Sequence, residues 1–469
     1  MASQALIAYC RTYQKVMKVA TDVLPWKEPA ITKGPGSIKK LPYLIKQKGI
    51  KNVMIVTDKG LMSLNLLDSL FEGLKEKGIN YAVFDGVQPN PTIQNIEDAR
   101  NLYIENNCEA IIAFGGGSPM DCAKAAGARV VKPNRSVPQM KGVLKVRKKL
   151  MPFFAVPTTA GTGSETTIAA VVSNPDTHEK YAINDLCLRP GYAILDPELT
   201  VGLPPHITST TGMDALTHAV EAYIGGSNTK DTAARALQAT KLIFDNIYTA
   251  YSDGKNIEAR QNMLLASHYA GIAFTRAYVG YVHAIGHNLG GMYGVPHGLA
   301  MSILLPHVLE FYGEAAYDRL ADLADAVGIA GVNNAEKAQA FISAIKELNA
   351  KMNISDSVDK IQEKDIPLIA ERALKEGNPL YPVPKIMDQG ECEAFIKTLM
   401  PRETAAAGPV PAPEKKEIKE EVKEEIKEAV EEVKEKAEEI KEEIKEKAEE
   451  IKEDFADALE GIKDEFKDA

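Results

Sequence analysis

The chain has 469 residues, of which 45% are hydrophobic, and this length is enough to bury the cores of two or three domains. The sequence contains no apolar run of the roughly 18 residues that a membrane span needs, so we expect no membrane partner. The net charge is -10, and residues 414–469 hold 24 acidic and 13 basic residues. The remainder is therefore nearly neutral and lacks the clustered Lys/Arg footprint of a nucleic-acid-binding protein.

The five cysteines are scattered and form no Cys-x-x-Cys pair, which is typical of reduced thiols rather than of a disulfide framework. Arg11, Lys15 and Lys18 interrupt the apolar positions of the first 25 residues, so this segment does not resemble a secretory signal. We therefore expect a cytoplasmic protein.

Residues 1–25 are predicted to form an amphipathic helix. Leu6, Cys10, Tyr13 and Met17 recur at alternating spacings of four and three residues, and Leu24-Pro25 ends the pattern. Two interpretations remain open, a helix that packs on the body or an oligomer contact, and a helix that docks on a partner.

Residues 26–203 alternate short apolar runs with helical patterns. The runs at 52–57, 79–84 and 110–114 predict strands, and the stretches at 61–77 and 93–107 predict helices. This alternation is typical of βαβ units with a parallel sheet. Ligands bind such sheets beyond the carboxyl ends of the strands.

The ends of two of those strands, and of a further apolar run at 153–156, carry candidate ligand-binding residues. The strand at 110–114 leads into Gly115-Gly-Gly-Ser-Pro-Met-Asp-Cys-Ala-Lys124, where glycines and a helix N-terminus suit a pyrophosphate, although a plain tight turn would look the same. Asp58 follows the strand at 52–57 and would favour NAD over NADP by repelling a 2′-phosphate, unless it is only a turn residue or helix cap. A hydroxyl-rich segment, 157–167, follows the apolar run 153–156 and lines a ligand or caps a helix.

Residues 204–400 are predicted to be helical and contain a set of metal-ligating side chains. Asp214 and His218 are four residues apart, as are His283 and His287, while His297 follows a Gly-Gly bend. Side chains at this spacing share one helical face, so two helices and a bend can converge on one ion. Nitrogen and oxygen donors without thiolate suit Fe(II) or Zn(II) and leave positions for water or substrate.

The C-terminal part of the sequence differs in composition from the rest. Residues 401–413 form a Pro/Ala linker, which prolines keep extended. Residues 414–469 form a Glu/Lys-rich tail whose apolar residues recur about every 3.7 residues. We predict a long acidic helix there, either solvated on its own or docked through its apolar end.

Four motifs in this order resemble the iron-containing (group III) alcohol dehydrogenase family over roughly residues 26–400. The motifs are Gly115-Gly-Gly-Ser-Pro-Met-Asp-Cys-Ala-Lys124, Pro157-Thr-Thr-Ala-Gly-Thr-Gly-Ser-Glu165, Gly212-Met-Asp-Ala-Leu-Thr-His-Ala-Val-Glu221, and His283-Ala-Ile-Gly-His-Asn-Leu-Gly-Gly291 with Pro296-His-Gly298. The resemblance implies an α/β dinucleotide-binding domain with a parallel sheet at 26–203, an all-helical metal-binding domain at 204–400, and an active site in the cleft between them.

The resemblance also implies roles for individual residues. Asp214, His218, His283 and His297 correspond to the metal ligands, and His287 lies where the family places a histidine beside the nicotinamide and substrate. The cofactor-binding positions correspond to Asp58, Gly116, Gly117, Ser118, Asp121, Thr158, Thr159, Thr162, Lys180 and Phe274.

The expected activity is the interconversion of a short-chain primary alcohol or diol and its aldehyde by hydride transfer with NAD(H). Fe(II), or else Zn(II), would act as a Lewis acid on the substrate oxygen, and His287 would relay the proton. We expect a homodimer or larger homo-oligomer. Two alternatives stay open: a zinc-dependent polyol oxidoreductase resembling glycerol dehydrogenases, and a catalytically weak body that serves as a scaffold or as microcompartment cargo through its terminal helices.

Overall fold

An α/β half with a parallel sheet is followed along the chain by an all-helical half, which confirms the predicted fold class. The computed structural model describes residues 2–22, 24–175 and 179–401. The predicted linker beyond residue 401 and the predicted acidic tail lie outside the described residues.

The first helix, α1, spans Gln4–Asp22. Its Cys10 is fully buried and belongs to the apolar core of the helical half. The sequence pattern is therefore that of a helix packed on the body of the protein. The outer face keeps apolar residues in water, with Val16 63% and Val19 68% exposed.

Six parallel strands form the main sheet in the order β1-β9-β6-β4-β2-β3. Successive residues of β4, in the middle of the sheet, point into two different cores, because neighbouring side chains of a strand face opposite sides. Ile111 and Ala113 lie in one core, and Ile112 and Phe114 in the other. The strands are β1 (Ala30–Lys33), β2 (Asn52–Val56), β3 (Asn80–Phe84), β4 (Ala110–Gly115), β6 (Phe153–Pro157) and β9 (Tyr192–Leu195).

Helices cover both faces of this sheet, as both cores require. A second, three-stranded sheet has the order β5-β8-β7, with β7 and β8 antiparallel. The helices of this half are α2 (Leu41–Gln47), α3 (Lys59–Ser63), α4 (Asp68–Glu76), α5 (Ile93–Glu105) and α6 (Gly117–Val131), and the strands of the second sheet are β5 (Gly142–Val143), β7 (Ala169–Asn174) and β8 (Glu179–Asn184).

The prediction of one continuous helix at 61–77 is wrong, because the chain forms two helices, α3 and α4, with a break between them. Asn65 lies in the break with a φ of 56°. Asparagine tolerates this left-handed conformation, in which an α-helix cannot continue. The apolar periodicity runs through the break and did not reveal it.

From Pro205 onward the described residues form helices and no strand. Helix α7 is buried along most of its length, so polar residues in its middle lie away from water. The helices are α7 (Pro205–Ile224), α8 (Lys230–Ser252), α9 (Ile257–Ala277), α10 (Tyr281–Tyr293), α11 (His297–Tyr312), α12 (Tyr317–Ala326), α13 (Asn334–Lys351), α14 (Ile366–Gly377) and α15 (Gln389–Thr398). Among the helices described, none is both long and apolar enough to cross a membrane.

Two glycines let the segment after β6 approach α9 closely. A Cβ on Gly271 would lie 2.8 Å from the carbonyl oxygen of Gly163 and 3.0 Å from its Cα. Backbone atoms cannot move aside as a flexible side chain can, so this contact fixes the hydroxyl-rich segment 157–167 against the helical half.

Gly271→Ala is expected to lower the free energy of unfolding by about 1–3 kcal/mol through overpacking. Gly291→Ala is the matched control, because Gly291 is also helical and a Cβ there meets nothing within 4 Å. That control should be neutral or stabilising by up to about 1 kcal/mol. Denaturant unfolding measures both, and equal effects of the two changes would contradict the proposed close contact.

Candidate metal and cofactor site

Three of the predicted metal ligands converge at the junction of three helices. Asp214 lies in the middle of α7, His283 in the first turn of α10, and His297 is the first residue of α11, behind Pro296. One ligand atom from each lies within 4.8 Å of the others. Each of the two pairs with four-residue spacing thus contributes one member to this group, and the residue after the bend contributes the third.

Ring nitrogens of two histidines face one carboxylate oxygen of Asp214. His297 Nε2 lies 3.3 Å and His283 Nε2 lies 3.8 Å from the same carboxylate oxygen, Asp214 Oδ1. His218 is not one of this group of three, but its ring stacks on that of His283 with 4.6 Å between centroids. His218 therefore lies beside the cluster, one turn of α7 beyond Asp214.

Burial sets the charges of the cluster. Desolvation lowers the pKa of His218 to about 3 and that of His283 well below its usual value. For Asp214 desolvation acts in the opposite direction, but the neighbouring His218 and His297 outweigh it and hold its pKa well below the usual range. Neutral imidazoles beside an ionised carboxylate are the forms in which these side chains offer lone pairs.

The unsatisfied polar atoms of the cluster fit a bound cation. Asp214 Oδ1, His218 Nδ1 and His283 Nε2 are buried and have no hydrogen-bond partner among the described residues. Buried polar atoms are normally paired, since an unpaired one costs about 1–3 kcal/mol. One divalent ion between Asp214 Oδ1 and His283 Nε2, which lie 3.8 Å apart, would satisfy both of these atoms.

Glu221 contacts the ring nitrogen of His283 that faces away from Asp214 and thereby orients the ring. The sequence did not predict this role. The Glu221 carboxylate lies 2.6 Å from His283 Nδ1 and accepts a hydrogen bond from the N–H of Val282 at 2.9 Å. Burial raises the pKa of Glu221 to about 7. A proton between Glu221 and Nδ1 leaves the His283 Nε2 lone pair toward Asp214. The sequence contains one indication of this role. Glu221 follows Asp214 by seven residues and so lies on the same face of α7.

His287 is less buried than Asp214 and His283, and its exposure is close to that of His297. Its ring stacks on that of His297 with 5.3 Å between centroids, and its side chain is 29% exposed. His287 Nδ1 lies 2.7 Å from Glu376 Oε1, which also accepts a hydrogen bond from the Tyr381 hydroxyl at 3.0 Å. Burial alone would raise the pKa of Glu376, but His287 and Tyr381 outweigh it and the pKa is lowered.

The two predicted cofactor loops lie side by side at the carboxyl edge of the main sheet. Gly115 and Pro157 are register partners at the ends of β4 and β6, and the N–H of Thr158 donates to the Gly115 carbonyl at 3.1 Å. Two glycines of the first loop pack against two threonines of the second: a Cβ would lie 3.2 Å from Thr159 Oγ1 if placed on Gly116 and 3.0 Å from Thr162 Cγ2 if placed on Gly117.

Asp121 and Lys124 tie these loops together through buried hydrogen bonds. Ser164 Oγ donates to Asp121 Oδ1 at 3.0 Å, and the N–H of Val171 donates to its Oδ2 at 3.2 Å. The fully buried Lys124 donates to Ser164 Oγ at 2.9 Å and to Thr167 Oγ1 at 2.8 Å. The contacts of Asp121 are thus made with the neighbouring protein segments, and its place in the cofactor site depends on holding the loops.

Ser118 and Lys180 meet through Asn90, a residue that the sequence analysis did not select. The N–H of Asn90 donates to Ser118 Oγ at 3.2 Å, and Lys180 Nζ donates to Asn90 Oδ1 at 2.8 Å. Lys180, on β8, is therefore brought to the first cofactor loop at the N-terminus of α6.

Asp58 and Phe274 complete the predicted cofactor residues. Asp58 caps α3, where its Oδ1 accepts the N–H of Leu61 at 2.9 Å, so the open alternative of a helix cap holds for one of its oxygens. Phe274 stacks on His218 with 4.1 Å between centroids. It lies three residues beyond Gly271 on α9, and thus α9 links the second cofactor loop to the metal cluster.

Replacing Glu221 with alanine is expected to weaken divalent-metal binding by about 10–100-fold, because outer partners of a ligating histidine fix its tautomer and orientation. Glu221→Gln, which keeps a hydrogen-bond acceptor, should be weakened less. Chelator competition measures the affinities. The control is Glu310→Ala on α11, where Glu310 forms an exposed ion pair with Lys346. An unchanged metal affinity in Glu221→Ala would refute the orienting role.

Comparison with known proteins assigns both halves of the chain. A model of the iron-containing alcohol dehydrogenase family matches residues 29–197, and a model of the C-terminal part of the Fe-containing alcohol dehydrogenase family matches residues 208–400.

Individual relatives agree with this match. The chain is 40% identical to the 1,3-propanediol dehydrogenase of Klebsiella pneumoniae, over 74% of this chain and 90% of that protein. It is 37% identical to the NAD-dependent methanol dehydrogenase of Bacillus methanolicus, over 74% and 92%. A crystal structure of 1,3-propanediol oxidoreductase superposes with a TM-score of 0.77 at 37% identity, covering 81% of this chain and all of that one. The chain belongs to the iron-containing alcohol dehydrogenase family, and it is an alcohol dehydrogenase, an oxidoreductase acting on alcohols and aldehydes.

Proposed function

We propose that the protein interconverts short-chain primary alcohols or diols and their aldehydes, with NAD(H) as the redox cofactor and Fe(II) as the resident metal. The observation that carries this proposal is the group of Asp214, His283 and His297, whose ligand atoms lie within 4.8 Å of one another and of which Asp214 and His283 are buried. Helix α9 connects that group to the glycine- and threonine-rich loops at the sheet edge.

Asp214, His283 and His297 would hold the metal, and His218, whose ring stacks on that of His283, is proposed as the fourth ligand. A bound Fe(II) supplies Lewis-acid polarisation of the alcohol or aldehyde oxygen. The carboxylate of Asp214 and the ring nitrogens of the histidines would provide its lone pairs, and burial shields Asp214 and His283 from water. The same donors accept Zn(II), so the choice of ion is part of the test.

Gly116, Gly117 and Ser118 would bind the pyrophosphate of the cofactor at the N-terminus of α6, where free N–H groups and the helix dipole favour an anion. NAD(H) carries the hydride. Thr158, Thr159 and Thr162 form the adjacent wall, and Asp58 would meet the adenosine ribose. This cofactor assignment is supported by the residue types and by the adjacency of the two loops.

His287 is proposed to exchange the proton that accompanies hydride transfer. Glu376 occupies its Nδ1, which leaves Nε2 as the nitrogen for proton exchange. The ring of His287 is 29% exposed and therefore has access to water. A positioned acid or base of this kind contributes about 10²–10⁴-fold to a rate.

The substrate class, assembly and location are also proposals. Relatives named for 1,3-propanediol and methanol support a short alcohol or diol. A homodimer or larger homo-oligomer, a cytoplasmic location and a microcompartment partner stay predictions of the sequence.

His283→Ala and His287→Ala are expected to separate metal binding from proton transfer. The first change should abolish metal binding and turnover together. The second should keep the metal and lower kcat by about 100-fold or more. Metal analysis of anaerobically prepared protein and NADH oxidation with short aldehydes, under Fe(II) or Zn(II), measure both properties.

His307→Ala serves as the control for this pair, because His307 Nε2 lies 2.9 Å from the carbonyl of Asp356, which leaves it no proposed catalytic role. It should match the wild type in metal content and rate. Equal loss of metal in His283→Ala and His287→Ala would overturn the division of roles, and absence of turnover by the wild type with either ion would overturn the proposed function.

Asp58→Ser is expected to relax the preference for NADH over NADPH. Serine preserves the cap of α3 but removes the negative charge that repels a 2′-phosphate. The ratio of kcat/KM for NADPH to that for NADH should rise about ten-fold, the factor given by about 1.4 kcal/mol. Asp68→Ser, in the first turn of α4, is the control, and an unchanged ratio in Asp58→Ser would contradict the assignment of Asp58.

A further inference from the structure

We propose that helix α1 positions the active-site histidine His287 through the proline-rich loop at residues 378–384. The inference rests on the proposed function, in which His287 exchanges a proton. Helix α1 ends at Asp22, before residue 29, where the match to the family begins. Helix α1, which lies outside the family match, would thereby help to orient a catalytic residue.

Two side chains of α1 hold the loop. Gln14 is 6% exposed, and its Nε2 donates to the carbonyls of Pro379 at 3.1 Å and Tyr381 at 2.8 Å. The guanidinium of Arg11 donates to the next carbonyls along, those of Val383 at 2.7 Å and Pro384 at 2.8 Å. Arg11 Nη1 also donates to Gln14 Oε1 at 2.9 Å, so the two side chains act as one unit.

The composition of the loop explains why its backbone carbonyls need hydrogen-bond donors from other parts of the chain. Its sequence is Asn378-Pro-Leu-Tyr-Pro-Val-Pro384, and three of these seven residues are prolines, which have no N–H and cannot build a regular backbone ladder. Buried carbonyls still require donors. Arg11 and Gln14 supply them to four carbonyls, and the N–H of Gly226 supplies one to Pro382 at 2.7 Å.

The loop in turn fixes the partner of His287. Gln14 holds the backbone of Tyr381, and the hydroxyl of the same residue donates to Glu376 Oε1 at 3.0 Å. That oxygen lies 2.7 Å from His287 Nδ1. The path from α1 to the imidazole is therefore one of direct contacts: Gln14, Tyr381, Glu376 and His287.

Loss of the contacts from α1 should let Tyr381 shift and leave Glu376 and His287 less well oriented. Displacement of a positioned group by about 1 Å lowers rates by up to about 100-fold. Arg11 and Gln14 touch neither cofactor loop nor metal cluster in the described structure, so the effect should appear in kcat and not in metal content or in the KM for NADH.

The test compares Arg11→Met/Gln14→Leu with Lys18→Met. Lys18 is on the same helix, but its Nζ donates to the carbonyls of Ser227 and Asn228 and to no carbonyl of the loop. We expect kcat to fall about ten-fold in the double variant and to stay at the wild-type value in the control. Equal kcat in the two variants, with both folded by circular dichroism, would overturn the proposal.

Combination with Tyr381→Phe tests the route. If α1 acts through the Tyr381 hydroxyl, adding Arg11→Met/Gln14→Leu to Tyr381→Phe should change kcat little further, because contacting residues in one network are not additive. Independent, multiplicative losses would show that α1 does not act through Tyr381. A structural effect alone would move the melting temperature without this coupling.

Reaction of His287 with diethyl pyrocarbonate provides a readout without turnover. In metal-free protein, peptide mass spectrometry should show faster modification of His287 in both the double variant and Tyr381→Phe, and no change in Lys18→Met. Unchanged modification in the double variant would refute the positioning role, even if the enzyme is fully active. Failure of the wild type to turn over any short aldehyde refutes the proposed function instead.

Discussion

The proposed metal site depends on two buried side-chain atoms whose lone pairs face each other. Asp214 Oδ1 and His283 Nε2 lie 3.8 Å apart without a hydrogen-bond partner among the described residues. Such atoms are unfavourable when left alone in a protein interior, where a missing partner costs more than it does in water. A divalent cation would turn this unfavourable contact into a binding site, and the surrounding helices keep these donors in position.

The fold supplies that support from several directions. Burial of α7 keeps Asp214 and His218 away from water, and Glu221 on the same helix directs the nitrogen of His283. Helix α9 brings Phe274 to His218 and, through Gly271, meets the second cofactor loop. The parallel sheet places both loops at one edge because Gly115 and Pro157 are register partners. The proposed metal ligands, cofactor loops and proton-exchanging histidine thereby belong to one packed framework rather than to separate sites.

The sequence predicted the parts of this framework that are local. Spacings of four residues put Asp214 with His218 and His283 with His287 on single helical faces, and strand periodicity located the loops after β4 and β6. It did not predict pairs that are distant along the chain, such as Glu376 with His287, because no periodicity connects residues 89 positions apart. The break at Asn65 was missed for another reason, since the apolar pattern continues across it. The contacts of Gln14 with the proline-rich loop depend on tertiary packing alone.

The central claim is that one metal ion, held by Asp214 and its neighbouring histidines, is required for alcohol and aldehyde turnover. Anaerobic titration of metal-free protein with Fe(II), with bound iron and NADH oxidation measured in the same samples, tests it most directly. Activity with a short aldehyde should rise in proportion to bound iron and stop rising at one ion per chain. Full activity in the metal-free protein, or iron bound at one ion per chain without any gain in activity, would contradict it.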